Sequence, residues 1–263
     1  MSKPQSAQNS IEPEAARERT ILARPHYRPF QLFVFIFAIL PTLTHAQPTP
    51  AQLSSPEIIQ RIDQAVERRT QSVSAYTVQE LYTLYRNKDT DPSVQVTVRT
   101  TYNRDTGKDY AIVSQTGSAL LRGAVIDRVI SNEREMAKAS NRESVALTSV
   151  NYEMRPEPGI VTQNGRPCVI VDLKARRKIP FLFNGRGWFD AEDFTLVHIE
   201  GSPAASPSFF AGQTAGVRDY TKVDGFSMAL RAQVHSHSFL FGDTRLQIDY
   251  SNYQIQRDHH PAN

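Results

Sequence analysis

The sequence predicts a mainly β (α+β) protein: a curved antiparallel sheet forming a half-open barrel, with helices packed on its concave side. Three observations carry that prediction. About ten segments between Tyr76 and Gln256 show the strand-type period of two or a β-branched and aromatic bias. Turn-forming pairs such as Asn164-Gly165 and Asp224-Gly225 separate several of them. Helical periodicity is confined to residues 55–69 and 118–147, and early helices followed by strands in meander order describe one large antiparallel sheet. Such a sheet curls, and a helix lying in its hollow covers the apolar side without closing a barrel.

The chain has 263 residues, one domain or at most two. Residues 1–46 read as a signal peptide with an extended N-region. The run at 30–40 is apolar, Arg24 and Arg28 precede it, and Thr44-His45-Ala46 places small residues at a cleavage position. The run is too short for a membrane span of about 20 residues, and Pro41, Pro48 and Pro50 end it. No cysteine lies near the cleavage point, which argues against a lipoprotein. Residues 47–53 are a linker, 54–257 the β-rich domain and 258–263 a C-terminal tail containing His259 and His260.

Net charge is +3. Residues 1–46 hold five Lys/Arg and three Asp/Glu, leaving 25 basic against 24 acidic residues in the rest. A chain so nearly balanced offers no general nucleic-acid surface. The lone cysteine, Cys168, excludes an internal disulfide; its apolar surroundings in sequence point to the core.

Ser54-Ser55-Pro56-Glu57 opens a helix, a Ser cap followed by Pro56 at the first helical position, and Ile58, Ile59, Ile62 and Val66 recur at helical spacing to about Arg69. The period then changes to two. Residues 76–85, 94–102 and 110–114 read as three strands, the last two joined by the Asp105-Thr-Gly107 turn. From Gly117 to about Lys138, Leu120, Leu121, Val125, Ile126, Val129 and Ile130 repeat with helical spacing and charges fill the other face; a short second helix is expected near 143–147. Further strands are expected at 152–155, 168–173, 181–189, 194–200, 217–223, 228–237 and 244–256.

The run Gly165-Arg-Pro-Cys-Val-Ile-Val-Asp-Leu-Lys174, then Gly187-Trp188-Phe189-Asp190-Ala191-Glu192-Asp193-Phe194, then Ile199-Glu200-Gly201 resembles the outer-membrane lipoprotein-sorting proteins of the LolA/LolB-like family, in a divergent form. The matching logic is a strand, a turn, a Trp-aromatic-Asp unit and a strand rising from the next turn. The resemblance covers residues 54–256 in order of elements and is specific across 165–201. It implies a helix-capped half-barrel whose apolar cavity holds acyl chains, in a periplasmic protein that binds or transports a lipid or lipoprotein without catalysis or cofactor. Relatives of this fold also act as envelope-stress sensors, so a protein-interaction module is the alternative. The longer middle helical segment departs from the carrier pattern.

The aromatic supply suggests ligand contacts at Tyr82, Phe183, Trp188, Phe209 and Phe210, the last two adjacent in a loop where they can guard a cavity mouth. Lys174, Arg176, Arg177 and Lys178 form the dense basic patch, suited to anionic head groups, a membrane surface or an acidic partner, and equally to protecting a strand end. Other chemistry is weaker. Gly225-Phe-Ser227 approaches a nucleophile elbow but starts a strand rather than a helix. His235 and His237 share a strand face and with His198 supply three nitrogens, a pattern that outward polar residues also produce. Asp190, Glu192 and Asp193 lack the ligand number and spacing of a calcium loop and read as an acidic turn.

Overall fold

A computed structural model describes residues 53–205, 214–238 and 242–258. Residues 1–46, expected to form a signal peptide, lie outside these, as do Phe209, Phe210, His259 and His260.

Helix α1 (Ser55–Ser72) begins where the Glu57 carboxylate accepts bonds from both the backbone N–H (2.8 Å) and the hydroxyl (2.7 Å) of Ser54. This closes the first turn. The helix buries Ile58, Ile62 and Ala65 and runs a turn beyond the expected Arg69. It ends because Val73 turns extended and enters β1 (Val73–Arg86) directly. β2 (Val94–Asn103) and β3 (Gly107–Gly117) complete a meander. The middle helical segment is α2 (Ala119–Leu121), a π-helical turn (Arg122–Ile126) and α3 (Asp127–Ala137), followed by α4 (Ala139–Val145). The rest is β-structure: β4 (Tyr152–Pro156), β5 (Val161–Gln163), β6 (Arg166–Ala175), β7 (Phe183–Asp190), β8 (Leu196–Pro203), β9 (Thr214–Val223), β10 (Phe226–Ser238) and β11 (Gly242–Arg257). The short β5, unanticipated from sequence, pairs with β6 across the Asn164-Gly165 turn.

All eleven strands join one antiparallel sheet in the order β3-β2-β1-β11-β10-β9-β8-β7-β6-β4, with β5 also on β6. The path does not close among the described residues. Its central seam pairs the first and last strands, β1 with β11. Laterally paired residues point to the same side of a sheet, so the register traces one inner row: Val96, Tyr82, Ile248, Ala232, Arg218, Ile199, Gly187, Val171. In the β7–β8 ladder Gly185 faces Gly201. A Cβ on Gly185 would lie 1.9 Å from the Glu200 carbonyl oxygen, and one on Gly201 2.4 Å from that of Asn184. The strands approach this closely because neither residue has a side chain.

The inner face carries two hydrophobic clusters. Leu121, Val125, Ile126 and Ile130 of the middle helical segment pack on Val78, Tyr82, Leu84, Val96, Leu246 and Ile248. Ile58, Ile62 and Ala65 of α1 pack on Met154, Val169, Val171, Leu173 and Phe189. The helices thus cover the same sheet face at two places. A small third cluster, Cys168, Trp188 and Val197, lies apart from both.

One expectation about the middle segment needs correction. Its charges do not all face solvent: Glu133, one turn beyond Val129 and Ile130, is 7% exposed because cationic partners wait on the sheet.

Candidate functional site

Between the two clusters the inner face leaves a cavity of about 360 Å³. α1 lends it Ala65, Val66, Arg69 and Thr70, and the α3–α4 region contributes Ala137, Arg142, Val145, Ala146 and Leu147. The sheet side presents Val73, Val78, Phe189, Leu196, Met228 and Ala229, with tyrosines 76, 102, 220, 250 and 253 among them. The cavity lies where α1 and the middle helical segment leave part of the inner face uncovered. Its size falls within the range of about 300–1,000 Å³ typical of small-molecule sites.

The wall is not uniformly apolar. Glu80, Lys108 and Arg218 also line it. Glu133 of α3 accepts from Lys108 Nζ (2.8 Å), from an Arg218 guanidinium nitrogen (3.0 Å) and from the Tyr110 hydroxyl (3.3 Å). Burial acts to raise the Glu133 carboxyl, but Lys108 and Arg218 outweigh it and bring the pKa down to about 2. Glu80, 1% exposed, accepts from the Tyr82 hydroxyl at 2.5 Å. Burial raises its pKa, against the pull of Lys108. One buried carboxylate therefore ties α3 to β3 and β9, and a second sits beside it on β1.

Two further cations line the cavity without a carboxylate partner among the described residues. Arg69 donates to the Ser227 carbonyl (3.2 Å) and Met228 Sδ (3.6 Å). Arg142 donates to the Arg104 and Ala137 carbonyls and lies 5.5 Å from the Tyr102 ring centre, and its Nε is buried without a hydrogen-bond partner.

None of the described aromatic residues singled out in the sequence lines this cavity. Tyr82 is wholly buried in the floor beneath α3, where its hydroxyl serves Glu80. Phe183 packs at the edge of the α1 cluster, 5.3 Å from Tyr152 between ring centres. Trp188 stands against His198 (4.9 Å) and Arg186 (5.4 Å) beside Cys168. Phe209 and Phe210 lie outside the described residues. In the basic patch, Lys174 and Lys178 are exposed. Arg176 donates to the Ser149 carbonyl (3.0 Å), and Arg177 to the Ser144 carbonyl and Asn151 Oδ1 (2.7 Å). Both arginines hold the α4–β4 connection to the sheet.

Other candidates have structural roles. His198 Nδ1 meets Asp219 at 2.7 Å and His237 Nδ1 meets Asp243 at 2.6 Å. Ser227 donates to the Leu196 carbonyl from the start of β10. Asp190, 4% exposed, is ion-paired with Arg166 and Lys222 and accepts the Glu192 and Asp193 N–H groups of its own turn. Cys168 is buried, and burial pushes its thiol up to about 11.

Sequence reasoning missed Glu80, Lys108, Arg218, Arg69 and Arg142. Glu80 left a signal: it occupies the buried parity of β1, in line with Tyr76, Val78, Tyr82 and Leu84.

Neither a protein-family model nor a curated protein matches the sequence. Solved structures similar to it include a LolA superfamily protein from Nitrosomonas europaea, with TM-score 0.45, 10% identity and coverage of 78% of this chain and 94% of that one. A domain assigned as an outer membrane lipoprotein-sorting protein from Vibrio parahaemolyticus has TM-score 0.45, 10% identity and coverage of 79% and 94%. A DUF1329 family protein from Desulfovibrio piger has TM-score 0.39, 10% identity and coverage of 78% and 95%.

Proposed function

We propose that the protein binds a lipid, or the acyl chain of a lipoprotein, in the cavity between the sheet and its helices, as an exported, periplasmic, non-catalytic carrier or binding protein. The observation that carries this reading is the cavity itself, where Val66, Leu147 and Leu196 present part-exposed apolar side chains in front of the buried Val78, Phe189 and Met228. An acyl chain leaving water for such a space gains about 0.8 kcal/mol per buried CH₂. The leader-like residues 1–46 support export. No helix among the described residues is long and apolar enough to cross a membrane.

A second reading, a protein-interaction or envelope-stress sensing module, is favoured by one observation. Beneath α3 the hollow is filled by the protein's own Tyr82, Tyr250 and Glu133, so only part of the inner face is available to a ligand.

Native mass spectrometry of the protein purified from an envelope fraction without detergent, followed by lipid extraction, distinguishes the two. A defined adduct of lipid or acyl-peptide mass is expected. A clean apo mass that takes up no added lipid would overturn the carrier reading and favour the interaction module.

A further inference from the structure

We infer that the cavity contains an oxyanion subsite, formed by Arg69 of α1 and Arg142 of α4, that selects acyl ligands with a carboxylate or phosphate head group. The inference rests on the acyl-binding reading and adds the charge of the ligand to it.

The charges lining the cavity do not balance. Lys108 and Arg218 are matched by Glu133, with Glu80 close by. Arg69 and Arg142 remain, bonded among the described residues only to carbonyl oxygens and a thioether sulfur. A guanidinium carries five N–H donors in a fixed fork suited to two oxygens of one anion. Both arginines retain donors, and Arg142 Nε is buried with none of its capacity used. A half-buried cation without a counter-ion is unfavourable, and a ligand oxyanion would supply what the protein omits.

The two side chains are held from opposite sides of the same opening. Arg142 donates to the Arg104 carbonyl, and Arg104 in turn donates to the Gln71 carbonyl (2.7 Å) at the end of α1, two residues from Arg69. Tyr102 lines the same cavity as both arginines, and Arg142 stands over its ring. Burial pushes its hydroxyl up while Arg142 and then Arg69 pull it back. The same cavity is lined by the part-exposed apolar side chains of Val66, Leu147 and Leu196, against which the chain of a ligand held at the arginines would lie. The cavity is near the small end of ligand sites, which suits a single chain.

The test compares three ligands with the same palmitoyl chain on the purified full chain: palmitate, lysophosphatidate and the uncharged monopalmitoylglycerol, by calorimetric titration. At least one anionic ligand is expected to bind about tenfold tighter than the neutral one, as a charge-assisted pair implies. Palmitate preferred to lysophosphatidate identifies a carboxylate site, and the reverse a phosphate site. The Arg69→Gln/Arg142→Gln double variant should lose the preference while keeping monopalmitoylglycerol binding, and Arg69→Lys/Arg142→Lys should retain part of it. Equal binding of all three to the unaltered chain overturns the subsite and leaves the acyl cavity standing. A preference that survives in a folded double variant overturns the assignment to these arginines. Failure of all three ligands to bind overturns both readings together.

Discussion

The buried carboxylates of the inner face do opposite things. Glu133 is held ionised by Lys108 and Arg218, so Glu133→Gln leaves two cations short of a partner in a buried setting. The expected loss is about 3–5 kcal/mol, read as a lower urea midpoint with unchanged slope. Because its folded pKa is depressed, the Glu133 contribution is present above the ordinary 4.5 and disappears as pH falls toward about 2. The wild-type stability curve should fall through that window, and the Glu133→Gln curve should be flatter there. Glu80 has the opposite sign. Its pKa is raised by burial, so its contribution is complete below 4.5 and is lost as pH rises through the raised value. Glu80→Gln should therefore gain on the wild type as pH rises through 4.5; a constant difference from pH 4 to pH 8 would contradict the assignment.

At the scale of elements, α1 is held by a narrow stripe rather than a broad face. Ile62 is wholly buried against the sheet, flanked along the helix by the buried Ile58 and Ala65, while Val66, Arg69 and Thr70 reach the cavity. Ile62→Ala should cost about 2–5 kcal/mol, measured by denaturant unfolding, and should loosen the α1 wall of the cavity. A cost below 1 kcal/mol would mean that α1 is not seated as described. The middle segment is anchored differently. It has its own apolar contacts through Leu121, Val125, Ile126 and Ile130, and in addition the buried ion pairs of Glu133. Helical periodicity revealed the apolar stripe. It did not reveal Glu133, because a carboxylate on that stripe is tolerated only when the opposing strands supply cations, and those lie on β3 and β9, far away in sequence.

For the whole molecule, the cavity makes stability depend on ligand. A compound that binds the folded chain alone, at about 100 times its Kd, should add about 2.7 kcal/mol and raise the unfolding temperature in a concentration-dependent way. Palmitate should do so under the acyl-binding reading, and a midpoint unmoved at saturating palmitate would count against it. The sheet that supports this arrangement does not close among the described residues. Its ends are β3 on one side and β4 and β5, each paired with β6, on the other, and Ile112 and Val113 of the edge strand β3 are exposed. The register shift between Thr97 and Val98 leaves Val113 unpaired in the β2–β3 ladder, a bulge of the kind that blunts an edge.

The sequence by itself determined the local elements. Alternation located the long strands, the Asn164-Gly165 and Asp224-Gly225 pairs located two turns, although not the short β5 before the first, and apolar spacing located α1 and the middle helices, because each of these signals resides in a few neighbouring residues. The buried fate of Cys168 was legible in the same way. Only the tertiary structure decided the cavity. Its lining comes from α1, the α3–α4 region and eight strands, brought together by the β1–β11 seam that joins the two ends of the domain. Whether an inward side chain fills space or faces it depends on what covers it. Tyr82 lies under α3 and is core, whereas Tyr76, on the same strand and face, reaches the gap between the helices. No local pattern encodes that difference, since it is set by where two separate helices stop.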